Sequence, residues 1–244
     1  MLHTRTLVEQ DGVTIRDIAC RHADPGVPAP EHASAHMIVF VRRGTFMRTV
    51  DGEESVYDPT VAYCASPGDE ERFDHPHGGG DDCTAVCFNP SLAASLWGDE
   101  PKLPSGPLPT SPQLDLEQRL LVSAGRRGAE PDELAERAIT LAARTLELRD
   151  HRRVALERPA TARAQARIVR QAREALAADP GLSLQELAHT VAVSPHHLSR
   201  IFRRETGRTI SRHRTQLRAR TALEQLADGE RNLARVAAHV GFAD

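Results

Sequence analysis

The residues whose types and spacing best suit a chemical task are polar side chains on a short helix near the end of the chain. Ser194 and Pro195 are a favoured helix start, and Leu198, Ile201 and Phe202 then form an apolar stripe at helical spacing. The remaining polar positions are His196, His197, Ser199, Arg200, Arg203 and Arg204. The forked guanidinium group of arginine can donate paired hydrogen bonds to guanine edges and phosphates, and short side chains allow a helix to approach a DNA groove closely. This face therefore predicts contact with double-stranded DNA.

The segment before this helix recurs close to the end of the sequence. SLQELAHTVAVSP at residues 183–195 aligns with NLARVAAHVGFAD at residues 232–244. Ser183 and Asn232 fit helix N-caps, and the small residues Ala188 and Ala237 lie where a following helix must cross closely. The repeat predicts two helix-turn-helix units. Between them we expect a long helix whose outward arginines are Arg212, Arg214, Arg218 and Arg220.

These features resemble the DNA-binding domain of the AraC/XylS family of transcription regulators. The resemblance rests on SLQELAHTVAVSPHHLSRIFRRETG, on the helix beginning TISRHRTQLRA, and on VAAHVGFAD. It implies recognition helices in successive major-groove segments, with His196, Ser199 and Arg200 reading bases and Arg203 contacting phosphate. The sequence departs from the family by ending at Asp244, before a second recognition helix. We therefore expect weak, poorly specific binding, which tight operator binding in a salt-controlled titration would contradict.

Charge is divided unevenly along the chain. The first 150 residues hold 14 basic and 25 acidic residues, a net of -11, and the rest hold 17 and 9, a net of +8. The basic part is suited to neutralising phosphates, and the acidic part is not.

We expect a cytoplasmic protein, because the sequence has no signal-peptide core and no apolar run of the roughly 20 residues that span a membrane. Free, mostly buried thiols are expected for Cys20, Cys64, Cys83 and Cys87, which lack C-x-x-C spacing.

Residues up to about 90 alternate short β-branched runs with turns. The strand-like segments are VTIRDIAC, HMIVFVRR, TFMRTV, SVYDPTVAYC and CTAVCFN, and Asp51-Gly52 is a typical hairpin turn. The stretch DPTVAYCASPGDEERFDHPHGGGDDCTAVCF resembles the cupin-like sensor barrel of the same family, whose mouth holds a small effector. We expect an α+β fold: an N-terminal cupin-like β-barrel, then helices, then an all-α helix-turn-helix domain lacking its last recognition helix. The expected effector pocket consists of His36, Ile38, Phe40 and His75, for an effector of unknown identity.

Histidines are frequent in the same region, and they raise the question of a metal centre. They are His22, His32, His36, His75 and His77. A metal centre needs three or four converging ligands, and the H-x-H with a following glutamate that cupins use is missing. We therefore predict no metal ion and no cofactor.

We also expect no enzymatic activity, because no nucleophile triad, phosphate loop or carboxylate pair is recognisable. The alternative is a metal-binding cupin enzyme fused to a DNA-binding domain.

Composition indicates four segments. Residues 1–100 are the effector-sensing β domain, 101–112 a proline-rich linker or an extended arm on the barrel, 113–158 a helical dimerisation segment, and 161–244 the DNA-binding domain. Five residues of the third segment follow one another at spacings of 4, 3, 4 and 3 positions: Leu134, Ala138, Leu141, Thr145 and Leu148. The pattern fits either a seam between two copies or packing within one protomer. We expect the seam, and hence a homodimer, with the second interpretation still open.

Overall fold

The computed structural model describes residues 2–21, 29–75, 79–150 and 159–242. The chain divides into two compact units, Met1–Arg152 and Arg153–Asp244. The first unit combines β-strands with helices, and the second is helical throughout its described residues. The α+β class predicted from the sequence is confirmed.

The described part of the first unit contains two β-sheets. Its strands are β1 (Leu2–Gln10), β2 (Val13–Cys20), β3 (Glu31–His32), β4 (His36–Gly44), β5 (Phe46–Val50), β6 (Glu53–Tyr57), β7 (Val61–Ala65), β8 (Glu70–Asp74), β9 (Asp81–Phe88) and β10 (Leu108–Pro109). One sheet has the order β1-β2-β9-β4-β7-β10 and the other β3-β8-β5-β6. The chain passes repeatedly between the sheets and adjacent strands are antiparallel, which is the jelly-roll arrangement that cupins share.

A tight hairpin fixes the register of β5 against β6. Asp51 and Gly52 have positive φ angles of 51° and 75°, which a two-residue hairpin turn of this type requires. Val50 pairs with Glu53 directly beyond the turn. The hairpin predicted at Asp51-Gly52 is confirmed.

The six-stranded sheet is buried on both faces. One face packs against helices α1 (Pro90–Trp97), α2 (Pro112–Arg126) and α3 (Pro131–Asp150), and Ile38 and Phe40 of β4 point to it. The other face meets the four-stranded sheet through Val39 and Val41. This division follows from the alternation of side chains along a strand.

Helix α3 lies on the sheet instead of presenting an exposed seam. Leu134, Ala138, Leu141 and Thr145 are at most 2% exposed, and the first three belong to the same core cluster as the sheet residues. The side chain of Leu148 lies outside the described residues. The predicted dimerisation seam is therefore wrong, and the heptad-like spacing reflects packing within one protomer, where an apolar helix face covers a sheet.

The proline-rich segment is an arm packed on the barrel, so the interpretation of residues 101–112 as a linker is wrong. Leu108 and Pro109 form β10, which pairs with Ala62 and Val61 at the edge of the six-stranded sheet. The carbonyl of Ser105 accepts a hydrogen bond of 2.8 Å from Arg48. An edge strand accommodates proline because one side of it needs no N–H donors.

The second unit is built from short helices with well-formed caps. They are α4 (Pro159–Ala178), α5 (Leu184–Thr190), α6 (Pro195–Thr206), α7 (Ile210–Ala227) and α8 (Leu233–Val240). Ser183, Ser194 and Asn232 each accept a hydrogen bond from a backbone N–H of the first helical turn, which confirms the caps predicted from the sequence. Among the described residues, no helix combines the length and the apolarity that crossing a bilayer requires.

A polar contact fastens α2 to the six-stranded sheet. Asp17 of β2 accepts hydrogen bonds from Arg42 at 2.5 Å and from Arg126 of α2 at 2.8 Å. Arg119 of α2 donates to the carbonyl of Arg42 at 2.9 Å. Burial opposes ionisation of Asp17, but the two arginines together outweigh it and hold the pKa of this carboxyl below its usual value.

We expect Asp17→Asn to lower the free energy of unfolding of the first unit by about 2 kcal/mol near pH 7, because Arg42 then stays buried without its carboxylate. A lowered pKa contributes stability that is present above the ordinary aspartate pKa of 3.8 and is lost as the pH falls through the folded-state value. The difference between wild type and variant should therefore shrink below about pH 4. Urea unfolding can follow it through Trp97, the single tryptophan, which packs edge-on against Phe88.

Asp51→Asn, at an exposed hairpin position where asparagine is equally suited, is the matched control and should leave stability within about 0.5 kcal/mol. A difference between wild type and Asp17→Asn that stays constant from neutral to acidic pH would contradict the assignment.

Candidate DNA-binding interface

The turn between α5 and α6 is fixed by local hydrogen bonds. At the start of α5, Ser183 and Glu186 form a reciprocal capping box, and these hydrogen bonds lower the pKa of Glu186. At its end, Ala192 adopts a left-handed conformation with φ of 54°, and the N–H of Val193 donates to the carbonyl of Ala188 at 3.0 Å. The chain therefore reverses within three residues before α6 begins.

Helix α6 is anchored by its apolar stripe. Leu198, Ile201 and Phe202 are completely buried in the core of the second unit. Ser194 caps the first turn by accepting from the N–H of His197 at 3.2 Å, and Gly207 ends the helix with a left-handed φ of 69°. The rotation of α6 about its own axis is thus set by the core, which leaves the opposite face outward.

The outward face of α6 carries the residues predicted to contact DNA. His196, Arg200, Arg203 and Arg204 are exposed, and His197 and Ser199 are partly exposed. All except His197 line a groove of about 700 Å³. His197 lies within 3.2 Å of Arg200 through its Nδ1 atom, and Arg204 forms an ion pair with Glu205 at 3.2 Å. Arg200 and Arg203 are therefore the best-placed cations for an external polyanion.

The groove has a second wall that the sequence did not indicate. Thr209, Ile210, Ser211 and Arg214, from the start of α7, line it together with Leu184 of α5. Thr209 caps α7 by accepting a hydrogen bond from a backbone N–H at 3.2 Å. The positive end of the helix dipole lies at this N-terminus. The turn residues from Thr206 to Thr209 could have indicated this second wall, because the turn brings the start of α7 back beside α6.

Most arginines of α7 have structural partners instead of facing outward. Arg214 donates to the carbonyl of Leu182, and Arg218 donates to the carbonyls of Gly241 at 2.8 Å and Pro180 at 3.2 Å. Arg220 is buried. The predicted outward face of this helix is therefore wrong for Arg214, Arg218 and Arg220, because they hold the loops next to α5 and α8 or lie in the interior, and only Arg212 is exposed.

A different site lies in the first unit, between the two sheets. Phe46 is surrounded by the rings of Tyr57, Tyr63, Phe73 and His75, with centroid distances of 5.6 to 6.1 Å. We call these five residues the aromatic cluster. Their rings pack against one another in the core between the two sheets.

A buried ion pair borders the aromatic cluster. The guanidinium of Arg48 lies 4.6 Å from the ring centre of Tyr63, and its Nε donates to Glu71 at 2.6 Å. Burial raises the pKa of Glu71, although the charge of Arg48 opposes the shift. The pair thus places buried charged groups beside aromatic rings.

Of the four residues predicted to form the effector pocket, only His75 lies between the two sheets. Ile38 and Phe40 belong to the opposite core, against the helices, so their assignment to the pocket is wrong. His36 pairs across the strands with Phe88 and shares that face, and burial lowers its pKa. His75 belongs to the aromatic cluster and remains a candidate pocket residue.

Potential metal ligands come together near His75 at the ends of three strands. The Sγ of Cys20, an imidazole nitrogen of His75 and a carboxylate oxygen of Asp81 all lie within 4.8 Å of one another. Burial, followed by the charge of Asp81, raises the pKa of the Cys20 thiol. His32 is exposed on β3, and His22 and His77 lie outside the described residues. The predicted free state of the cysteines is confirmed, and Cys64, Cys83 and Cys87 are buried.

Comparison with known families supports the second unit directly. Residues 187–244 match a family model described as a helix-turn-helix domain. The match begins within α5 and extends through α8, so the helix-turn-helix domain predicted from the sequence is confirmed. No curated protein matches the chain.

Several solved structures are similar to part of the chain. A Rhizobium leguminosarum bv. viciae protein of unknown function is 17% identical, with a TM-score of 0.32, over 36% of this chain and 81% of its own. A cupin superfamily protein from Desulfitobacterium hafniense is 13% identical, with a TM-score of 0.31, over 36% and 78%. An RmlC-like cupin with a double-stranded β-helix fold from Methanocaldococcus jannaschii is 12% identical, with a TM-score of 0.32, over 36% and 81%. Likenesses this distant identify neither a ligand nor an activity.

Proposed function

We propose that this chain, which carries an AraC-type helix-turn-helix domain, is a cytoplasmic transcription regulator that reads double-stranded DNA with α6. It works as a homodimer and responds to a small molecule bound inside the first unit. It acts by binding and by changes of population between states, without catalysing a reaction.

The observation that carries this proposal is the orientation of α6. Its apolar stripe is completely buried, so Arg200 and Arg203 point outward into the groove on the same side as Ser199. A rigidly held helix with forked donors and short polar side chains suits a major groove about 12 Å wide. The net charge of +8 after residue 150 adds the attraction to phosphate that non-specific binding needs.

Two arginine variants separate base reading from phosphate contact. Arg200→Ala should weaken binding to the preferred duplex by about 1–3 kcal/mol and relax the preference at one base pair, because bidentate guanine contacts are lost. Arg203→Ala should weaken binding to all sequences alike and reduce the slope of log affinity against log salt by about one. Fluorescence anisotropy across a salt series, with duplexes enriched from a random pool, measures both effects.

Arg167→Ala is the matched control, because this arginine of α4 is exposed and does not line the groove. It should leave sequence preference unchanged. If Arg200→Ala retained both the affinity and the preference of the wild type, α6 would not be the reading helix.

The interior of the first unit supports the effector part of the proposal. The aromatic cluster offers ring contacts, and the buried guanidinium of Arg48 offers charge-assisted hydrogen bonds. These groups suit a small molecule that combines an apolar ring with an anionic group. Such a ligand would compete with Glu71 for Arg48.

We expect a member of a panel of small aromatic acids to raise the melting temperature reported by Trp97 and to change the affinity of the full chain for DNA. Arg48→Gln should reduce the ligand-induced temperature shift at least by half, whereas Arg72→Gln, at an exposed position on β8, should leave it unchanged. A temperature shift of equal size in both variants would exclude Arg48 as the binding group, and a shift without any change in DNA affinity would exclude the ligand as an effector.

Helix α2 supports a dimer surface in place of the buried seam on α3. Leu116 and Leu120 lie one helical turn apart and are 43% and 48% exposed, so together they form an apolar patch on the surface of α2. The double variant Leu116→Glu and Leu120→Glu should therefore sediment as a monomer at a concentration where the wild type is dimeric, and Leu96→Glu, an exposed leucine on α1, should not. A dimer of unchanged stability in the double variant would place the interface elsewhere.

A further inference from the structure

Three potential ligands that are distant in sequence meet where β2 ends and β9 begins. Cys20 and Asp81 are direct partners across the β2–β9 ladder, so their side chains lie on the same face. His75 follows β8 directly, and its Nε2 lies 2.6 Å from Oδ1 of Asp81. With the Sγ of Cys20, these groups form a cluster whose candidate ligand atoms lie within 4.8 Å of one another.

The backbone that brings these groups together is tightly constrained. Gly80 has a φ of 69°, and a Cβ at this position would lie only 2.0 Å from the carbonyl oxygen of Cys20. Only glycine allows this approach, which fixes Asp81 beside Cys20. Cys83 donates from its Sγ to the other carboxylate oxygen of Asp81 at 3.0 Å, and this contact orients the carboxylate.

Burial and charge around the cluster suit a cation. His75 and Asp81 are 4% and 7% exposed, whereas Cys20 is partly exposed and leaves an approach from solvent. The nearby cations Arg21 and Arg43 both pair with Asp82, each at 2.7 Å. Asp82 therefore offsets part of their charge from outside the cluster, which reduces repulsion of an incoming metal ion.

We propose that Cys20, His75 and Asp81 bind one zinc ion. A thiolate, an imidazole and a carboxylate are the three donor types that zinc takes in proteins, and ligands around tetrahedral zinc lie about 3.5 Å apart, within reach of small side-chain rotations here. On binding, the Cys20 thiol releases its proton to solvent and forms a Zn–S bond, and Asp81 forms a Zn–O bond. His75 gives up its hydrogen bond to Asp81 and forms a Zn–N bond through Nε2 as a neutral imidazole with its proton on Nδ1. The fourth position is left for water or another small ligand. This site shares His75 with the aromatic cluster but does not include the Arg48–Glu71 pair, and the metal titration can be made without an effector.

Cobalt(II) is a suitable spectroscopic probe for this site. Titration of the tag-free, reduced full chain with Co²⁺ should give one equivalent of binding with a thiolate-to-cobalt charge-transfer band, which Zn²⁺ then displaces. Cys20→Ser should abolish the band and weaken Co²⁺ binding at least tenfold. His75→Gln and Asp81→Asn should keep the band at saturating Co²⁺ while also weakening binding at least tenfold.

Cys87→Ser is the control, because Cys87 is a cysteine of β9, the strand paired with β2, and lies outside the cluster. Its titration should match that of the wild type, and Trp97 fluorescence reports whether each variant is folded. If Cys20→Ser does not fold, the two variants that retain the thiol decide the question. A wild type without a thiolate band, a band that persists in folded Cys20→Ser, or wild-type affinity in folded His75→Gln and Asp81→Asn would overturn the proposal.

Discussion

The burial of one apolar stripe on α6 is the interaction on which the DNA-binding surface depends. Leu198, Ile201 and Phe202 have no exposed area, so α6 cannot rotate about its axis without opening the core of the second unit. The left-handed turn at Ala192 and the small side chain of Ala188 let α5 and α6 meet closely. The arginines of α6 therefore stay on one outward face, where they line a groove together with the start of α7.

Both units bury charged groups. In the second unit Arg220 and Glu224 are buried beside an apolar core, and other arginines hold loop carbonyls, as Arg214 and Arg218 do. In the first unit, charged groups also lie inside the fold, at the Arg48–Glu71 pair and where Asp17 joins α2 to the sheet. Buried charges are costly unless they are paired, and interior sites that keep such groups are often sites of recognition. The proposed function assigns ligand recognition to the acidic first unit and DNA recognition to the basic second unit.

The sequence predicted those parts of the fold whose signals are local. Caps at Ser183 and Ser194 and the Asp51-Gly52 hairpin depend on neighbouring residues, and the structure reproduces them. The sequence could not assign the faces of β4, because HMIVFV is apolar throughout and lacks the alternation that tells one face from the other. The predicted pocket therefore includes Ile38 and Phe40, which face the helices, instead of Val39 and Val41, which point between the two sheets.

Long-range pairing explains the remaining differences. The spacing along α3 is the same for a helix that covers a sheet and for a helix that pairs with a copy of itself, so only the tertiary structure separates them. The group of Cys20, His75 and Asp81 arises from the pairing of β2 with β9, which no local pattern of histidines or cysteines indicates. The proline-rich arm contacts the barrel through β10 and Ser105, whereas composition alone fits either a linker or such an arm.

Methylation interference at guanine N7, an atom that only the major groove exposes, most directly tests whether the arginine face of α6 reads DNA. Methylated guanines at discrete positions should be depleted from the duplexes bound by the wild-type chain, and at least one of these positions should lose its effect in Arg200→Ala. No interference at any guanine N7, or the same pattern of guanines in both proteins, would contradict the orientation of α6 described above.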